Sequence, residues 1–507
     1  MSLPAASPTG RPDGSAPGEK GLKSGALGFV SNVVIGVAST APGYSLAATL
    51  GLVIALPGIG LAAPSVLIVA FLPMLFIATA YYCLNRADPD CGTTFSWATR
   101  ALGPYLGWMG GWGIVAAGTI VMANLGQIAG LYSFLLVGWE SAAESTAAVT
   151  VLGVAFIAAM TAICVIGIEL SARTQVGLLG AEIATLGLFA GVALVKVYSG
   201  DAGPDALNPA LSWFNPFEIA STEALTAGVL LAVFIYWGWD STVTVNEESR
   251  DSSTTPGKAA VVSTVILLGI YVVVAVAAQA FNGPAGLADS DDALGVLATD
   301  VFGSPLDKLV IVAVLTSAAA SCLTTILPNA RTALSMARAG AAPRALGAVH
   351  PRYLTPHTAT LLFGALAIGW YVVLTIISQD ILADSIAALG LMIAFYYSLT
   401  GYACVVYYRR ELRRSIRSFL LAGVAPFVGA TLLAALFYRS CRDLSADDAG
   451  SGSLLGIGTP LVIGLGFLAL GAALMIFWRM TGHREFFARR PEVADPGVLS
   501  GRRAPGG

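Results

Sequence analysis

Two stretches of this 507-residue chain gather polar and aromatic side chains around points where a helix must break. The first is Val37-Ala38-Ser39-Thr40-Ala41-Pro42-Gly43. Pro42 removes a backbone donor and disfavours helix at Ala41, and Gly43 loosens the turn. A half-helix starting there would offer a positive dipole end and free amides, from Thr40, Ala41, Gly43 and Tyr44, to a carboxylate. Ser39 and Thr40 add hydroxyls. The second stretch, Phe234-Ile235-Tyr236-Trp237-Gly238-Trp239-Asp240-Ser241-Thr242, sets a glycine and an acid among bulky aromatics. Carbonyls freed at such a break accept hydrogen bonds from an ammonium. Tyr236, Trp237 and Trp239 can cover a ligand as a gate or attract a cation through their ring faces. The two breaks together suit a zwitterion.

Ionisable groups in apolar runs are costly, on the order of 3 kcal/mol at mid-membrane depth, and functional by default. Glu182, in Leu178-Leu179-Gly180-Ala181-Glu182-Ile183-Ala184, has no basic residue within one helical turn. It can carry a proton, supply oxygens for a monovalent cation together with Thr324 and Thr325, or pack as an acid hydrogen-bonded to a neighbouring helix. Asp240 has two readings, coupling and structural pinning of its break. Asn124 and Gln127 either line the site or join helices. The six cysteines lack CxxC spacing, a pattern of buried or reduced thiols. His350, His357 and His483 lie at or beyond helix ends, which leaves no histidine metal site and no imidazole relay in the apolar spans. No catalytic constellation, metal site or organic cofactor is expected. A membrane enzyme or a non-transporting sensor is a poor second reading, for want of catalytic spacing and of room for a signalling domain.

The elements that must position these residues are membrane helices. The chain is 56% hydrophobic and 11% charged, against about a quarter charged in soluble chains. It holds apolar runs long enough to span a bilayer, at roughly 20 residues each, and such runs must be helical. The expected fold is all-α and polytopic with about 12 spans: 25–56, 61–84, 104–137, 147–168, 174–197, 222–246, 259–281, 306–337, 358–377, 381–408, 415–438 and 454–478. Residues 25–480 form one transmembrane domain, flanked by disordered cytoplasmic tails at 1–24 and 481–507. Of the 27 Lys and Arg residues, only Lys196, Lys308, Arg439 and Arg442 fall outside if both termini are cytoplasmic, and that bias sets the orientation in a bacterial-type inner membrane. The Arg409, Arg410, Arg413, Arg414 and Arg417 cluster anchors the topology against anionic lipid; no nucleic-acid partner is implied. The two breaks fall in spans one and six, five spans apart, so five-helix repeats beginning at each have inverted topology. Matching breaks in inverted halves point to a transporter's substrate site.

The chain resembles the amino acid–polyamine–organocation permeases. Three stretches carry the likeness: Ser39-Thr40-Ala41-Pro42-Gly43; Trp237-Gly238-Trp239-Asp240 with Asn246-Glu247-Glu248-Ser249-Arg250; and Asn329-Ala330-Arg331-Thr332-Ala333-Leu334-Ser335-Met336-Ala337-Arg338, continuing to His350-Pro351-Arg352-Tyr353. The first departs from the family's Gly-Ser-Gly type of break. The resemblance implies a five-plus-five inverted repeat with two added C-terminal helices, alternating access, and a site among spans one, three, six, eight and ten. It adds weight to substrate contact by Trp237 or Trp239. In proton-coupled relatives a lysine resembles the Glu182 position, and here it is a glutamate. The expected function is a proton-coupled permease for amino acids or related amines, with a cation-coupled symporter or an exchanger as the alternative because the coupling site departs from the family's pattern.

Overall fold

The protein is described by a computed structural model covering residues 20–491, apart from 289–292, 378 and 448. The first span is split into α1 (Phe29–Ala38) and α2 (Pro42–Ala55), followed by α3 (Ala63–Ala87), the loop helix α4 (Thr94–Leu102) and α5 (Pro104–Val137). A short α6 (Glu140–Ala143) leads to α7 (Thr146–Ile166) and α8 (Ile168–Ser199), the fourth and fifth spans. The sixth is again split, into α9 (Thr222–Ile235) and the single turn α10 (Ser241–Thr244). After it come α11 (Thr255–Ala288), the loop helix α12 (Gly295–Phe302), α13 (Lys308–Arg338), α14 (His357–Ile377) and α15 (Gln379–Tyr407). The eleventh span is α16 (Ile416–Ser418), a π-helical stretch Phe419–Val424 and α17 (Ala425–Asp443); a two-residue hairpin then precedes α18 (Thr459–Met480) and α19 (Arg484–Phe487). Among the described residues 11 helical units are long and apolar enough to cross a membrane, and α9 is a shorter apolar helix. The first, eighth and tenth spans are mostly buried in protein, whereas the twelfth is mostly exposed and turns Leu470, Ile476 and Phe477 outward.

Several boundaries differ from those expected, for one reason: hydropathy stops at the first charges, but a helix continues until its backbone is interrupted. Thus α8 begins at Ile168, carrying Glu169 and Arg173, and α11 begins at Thr255. The twelfth span starts at Thr459 because Ser453–Leu454 and Ile457–Gly458 pair as a hairpin. The amphipathic α4, too polar to register as a span, buries Phe95, Trp97 and Ala98. The two tails also need correcting where they are described. Lys20–Ser24 is packed, with Leu22 fully buried. Phe486 and Phe487 of α19 bury against Phe95 and Trp108. Both tails carry apolar side chains just outside the spans, and burying these offsets the entropy of ordering them. Residues 1–19 and 492–507 lie outside the described residues.

The two broken spans run in opposite directions side by side. The Leu27 amide donates to Glu248 O (3.0 Å) and the Arg250 amide to Leu27 O (2.8 Å), so the entry of the first span lies beside the exit of the sixth. Asn32 Oδ1 accepts from both the Thr242 and the Ser249 hydroxyls at 3.0 Å. At the breaks the backbones touch. Gly238 has φ of 121°, and a Cβ there would sit 2.4 Å from Ser39 O. Only glycine supplies both that backbone angle and that approach. Gly238→Ala should therefore cost at least the roughly 1–3 kcal/mol of an overpacked core, and lower the unfolding temperature in detergent or block accumulation in the membrane. Gly177→Ala, on α8 with nothing within 4 Å of the new methyl, is the control and should unfold at the wild-type temperature or slightly above it.

Candidate functional site

At the first break α1 ends at Ala38, Ala41 takes a left-handed conformation (φ 46°, ψ 63°), and Pro42 opens α2. A new helix leaves its first amides without partners. Here Pro42 has no N–H, and the Ser45 amide already bonds Ala41 O (2.8 Å), so Gly43 and Tyr44 are the two donors left over. Both are taken. Gly43 N donates to Glu182 Oε1 at 2.7 Å, and Tyr44 N to Ser317 Oγ at 3.2 Å. The Thr40 and Ala41 amides bond back to Val37 O and Ala38 O, each at 3.2 Å. The hydroxyls turn inward as well, Ser39 Oγ to Ile35 O (2.7 Å) and Thr40 Oγ1 to Val37 O (2.8 Å). The free amides expected at Thr40, Ala41, Gly43 and Tyr44 are thus all occupied by groups of the chain itself. Local sequence shows that a break leaves donors over, but not that α8 and α13 deliver acceptors to them.

The second break is built from aromatics. Tyr271 of α11 donates its hydroxyl to the Ile235 carbonyl that the break would free. Tyr236 donates to Leu67 O at 3.1 Å. Trp237 Nε1 donates to the Tyr396 hydroxyl. Trp239 is fully buried, stacked on Tyr397 (5.3 Å between centroids) and edge-on to Tyr81 (5.1 Å). It is a packed wall in this conformation, whereas Trp237, 9% exposed, sits at the edge. Asp240 is ringed by three phenols: Tyr397 OH donates to Oδ1 (2.9 Å), and Tyr396 OH (3.2 Å) and Tyr81 OH (3.3 Å) donate to Oδ2. Tyr81 and Thr94 share a further bond (3.0 Å), as do Thr94 and Thr400 (2.6 Å). This is the geometry of pinning: the sixth-span break is tied through Asp240 to α3 and α15. Phenols so far away in sequence leave no local trace, so Tyr81, Tyr396 and Tyr397 went unseen.

Glu182 does not sit with the threonines proposed to share its cation. Thr324 donates to Ala320 O and Ser321 O of its own helix, at 3.1 and 3.2 Å. It lies seven residues beyond Ser317, roughly 10 Å along a helix rising 1.5 Å per residue. The α13 residue level with Glu182 is Ser317, since both meet α2 at adjacent amides; Gln175, two turns earlier on α8, donates to Ala320 O at 2.8 Å. The Glu182–Thr324–Thr325 oxygen set is therefore not assembled in this structure. Glu182 is fully buried, and its second oxygen, Oε2, has no hydrogen-bond partner among the described residues. Asn124 joins helices, donating to Ser385 at 2.8 Å.

With this geometry in view, the comparisons decide the family. A family model described as amino acid permease matches residues 24–480. The chain belongs to that family, within the amino acid–polyamine–organocation superfamily. Among its relatives is an uncharacterized transporter of Mycobacterium tuberculosis, 29% identical over 301 residues, a stretch covering 58% of this chain and 64% of that one. The Escherichia coli low-affinity putrescine importer PlaP is 22% identical over 375 residues, 73% of this chain and 78% of the importer. The Bacillus subtilis serine/threonine exchanger SteT is 22% identical over 384 residues, 74% and 82% respectively.

This permease-family chain carries a second polar assembly, where it enters α1 and leaves α10. Arg331 of α13 grips Glu248 with two bonds, Nε to Oε2 at 2.6 Å and Nη2 to Oε1 at 2.8 Å, both side chains being buried. Beside them Lys20 Nζ lies 2.8 Å from Asp90 Oδ1 and 2.7 Å from Glu247 Oε1, and also donates to Ser335 at 3.2 Å. Asp90 further accepts from Ser96 and Ser335, each at 2.7 Å. The segment before α1, the loop before α4, the exit of the sixth span and the end of α13 are thereby locked together. Arg331 and Glu248 were visible in motif stretches, but Lys20 lies in a Gly- and Ser-rich segment that gives no such signal. Burial works against the Asp90 charge, yet Lys20 with the Ser335 and Ser96 hydroxyls outweighs it and lowers the pKa to about 2. Burial likewise works against the Lys20 charge, and facing Cys91, Asp90 and Glu247 instead raises its pKa above the usual range. A depressed carboxyl contributes stability that is full above its ordinary pKa and lost as pH falls through the folded value; a raised ammonium contributes stability lost only as pH rises through its own. Burial pushes the neighbouring Asp88 carboxyl up to about 6 despite Arg100 beside it, so the lock should hold unchanged across about pH 7–9. Cys91 lies behind it, fully buried, with Lys20 Nζ 3.6 Å from its sulfur. In a Cys441→Ser background, Lys20→Met should speed maleimide labelling of Cys91 severalfold, whereas wild-type labelling, corrected for thiol ionisation, should not change across that window.

Proposed function

We propose that the protein is a secondary transporter of small amines or amino acids, working by alternating access and coupled to protons through Glu182. One observation carries the coupling role: Glu182 is a fully buried acid with one oxygen on the Gly43 amide, the Ser317 hydroxyl beside it, and its second oxygen without a hydrogen-bond partner among the described residues. No basic side chain contributes to its surroundings among the described residues. Ionised, the carboxylate holds α2 to α8 by a charge-assisted bond; such a bond is roughly twice as strong as a neutral one. Taking up a proton weakens that tie at the break. The first span is then freer to move relative to α8 with the proton bound, so proton binding and reorientation are linked. Two relatives, a putrescine importer and a serine/threonine exchanger, support small amines and amino acids as the substrate range. A cation-coupled route is less favoured, because Thr324 and Thr325 lie two turns from Glu182.

The transporter sits in a bacterial-type inner membrane with lipid against the exposed apolar faces, and both termini are cytoplasmic. The Lys and Arg bias supports that orientation, which puts the Lys20 and Arg331 locks on the cytoplasmic side. In proteoliposomes an imposed inward pH gradient should drive accumulation of substrate by the wild type. Glu182→Gln should abolish that accumulation while leaving substrate exchange at least partly intact; gradient-driven uptake equal to wild type would show that the acid only packs. A cysteine placed at Arg484 should resist impermeant maleimide added outside intact cells, and ready labelling there would invert the topology.

A further inference from the structure

We propose that Glu182 occupies the seat where a substrate carboxylate would bind, so that the transported molecule is an organic cation lacking a carboxylate, and that Glu182 sets this selectivity. The inference rests on the reading of the two breaks as the substrate site, and it names the substrate class for that site.

A carboxylate at a helix start needs unsatisfied amides. In the first break the four candidate amides already have acceptors: Thr40 and Ala41 bond within α1, Gly43 bonds Glu182 Oε1, and Tyr44 bonds Ser317 Oγ. The occupant of the Gly43 amide is itself a carboxyl, reaching it at 2.7 Å from a different span. The seat is also closely surrounded. The Cβ position of Gly43 lies 3.4 Å from Ala313 O and Glu182 Oε1 and 3.5 Å from Ser317 Cβ. A substrate carboxylate would have to evict Glu182 into a setting where no basic side chain receives it, or share the amide with it, and two carboxylates sharing one site repel.

The charge of the surroundings points the same way. Each break has one acid, Glu182 at the first and Asp240 at the second, and neither is faced by a lysine or arginine among the described residues. Asp240 has both oxygens engaged by phenols, whereas Glu182 Oε2 is buried with acceptor capacity unused. Such an oxygen can accept from a hydrogen-bond donor, and a positively charged donor binds a carboxylate most strongly. Tyr and Trp faces from the second break add attraction for an ammonium and none for an anion. The site thus supplies what a protonated amine needs and withholds what an amino acid carboxylate needs.

The test compares pairs differing only in the carboxylate, putrescine against ornithine and 3-methylbutylamine against leucine, by binding to purified protein and by uptake in proteoliposomes. In the wild type each amine should bind roughly tenfold or more tightly than its parent amino acid, the scale of one charged hydrogen bond. Glu182→Ala empties the seat and should raise amino acid affinity and narrow or invert the ratio. Glu182→Gln keeps an acceptor on Gly43 and should continue to exclude the amino acids, although it loses proton coupling. The wild-type comparison decides the matter even if the alanine variant does not insert. Amino acids binding as well as their amines would overturn the selectivity proposal and leave the transporter reading standing. Failure of all four compounds to bind or enter would instead sink the reading of the breaks as an amine or amino acid site, and the selectivity with it.

Discussion

Breaking a helix inside a membrane exposes backbone groups to a medium with no water to satisfy them, and the rest of this molecule is arranged around meeting that demand. The broken segments do not meet it alone. Gly43 is satisfied from the fifth span by Glu182, Tyr44 from the eighth by Ser317, the Ser39 carbonyl from the eighth by Ser321 at 3.0 Å, and Ile235 from the seventh by Tyr271. The breaks therefore staple three further spans, the fifth, seventh and eighth, to the first and sixth. Any motion that opens the site must exchange these bonds for others, to substrate, to water or to new protein partners.

The polar groups divide into two kinds. At the end where the chain enters α1, Lys20 with Asp90 forms an opposite-charge pair whose protonation is fixed over the physiological range, and Arg331 with Glu248 forms a second, fully buried pair. The first pair responds to mechanical separation rather than to pH. Among the described residues the acids at the breaks have no basic partners: Asp240 is held by neutral hydroxyls, and Glu182 is left half-satisfied. The first kind fixes how segments are held together, and the second leaves a carboxyl at the first break whose bonding can change.

Much of the architecture is legible from sequence because lipid imposes simple rules. Apolar length reports spans, and Pro42 and Gly238 report the breaks whatever surrounds them. The third span was read as 104–137 and is Pro104–Val137. The errors came where those rules are silent. Amphipathic α4 has no membrane-length signal, and the helices α8 and α11 continue through charged residues that hydropathy reads as loop. Thr324 and Thr325 were the right chemistry on the right helix but two turns too far along. Depth along a helix cannot be matched between spans without their packing.

What the sequence alone determined is therefore the set of helices, the places where two of them must break and the acids held at depth, because each follows from local backbone chemistry or from the cost of burying charge. What only the tertiary structure decided is who answers whom. Gly43 and Glu182 are separated by 139 residues, and Asp240 and Tyr397 by 157. Contacts across such separations depend on which helices pack together and in what register. Those are collective properties of the folded bundle, and they turn a half-helix that looked ready for a carboxylate into one already holding its own.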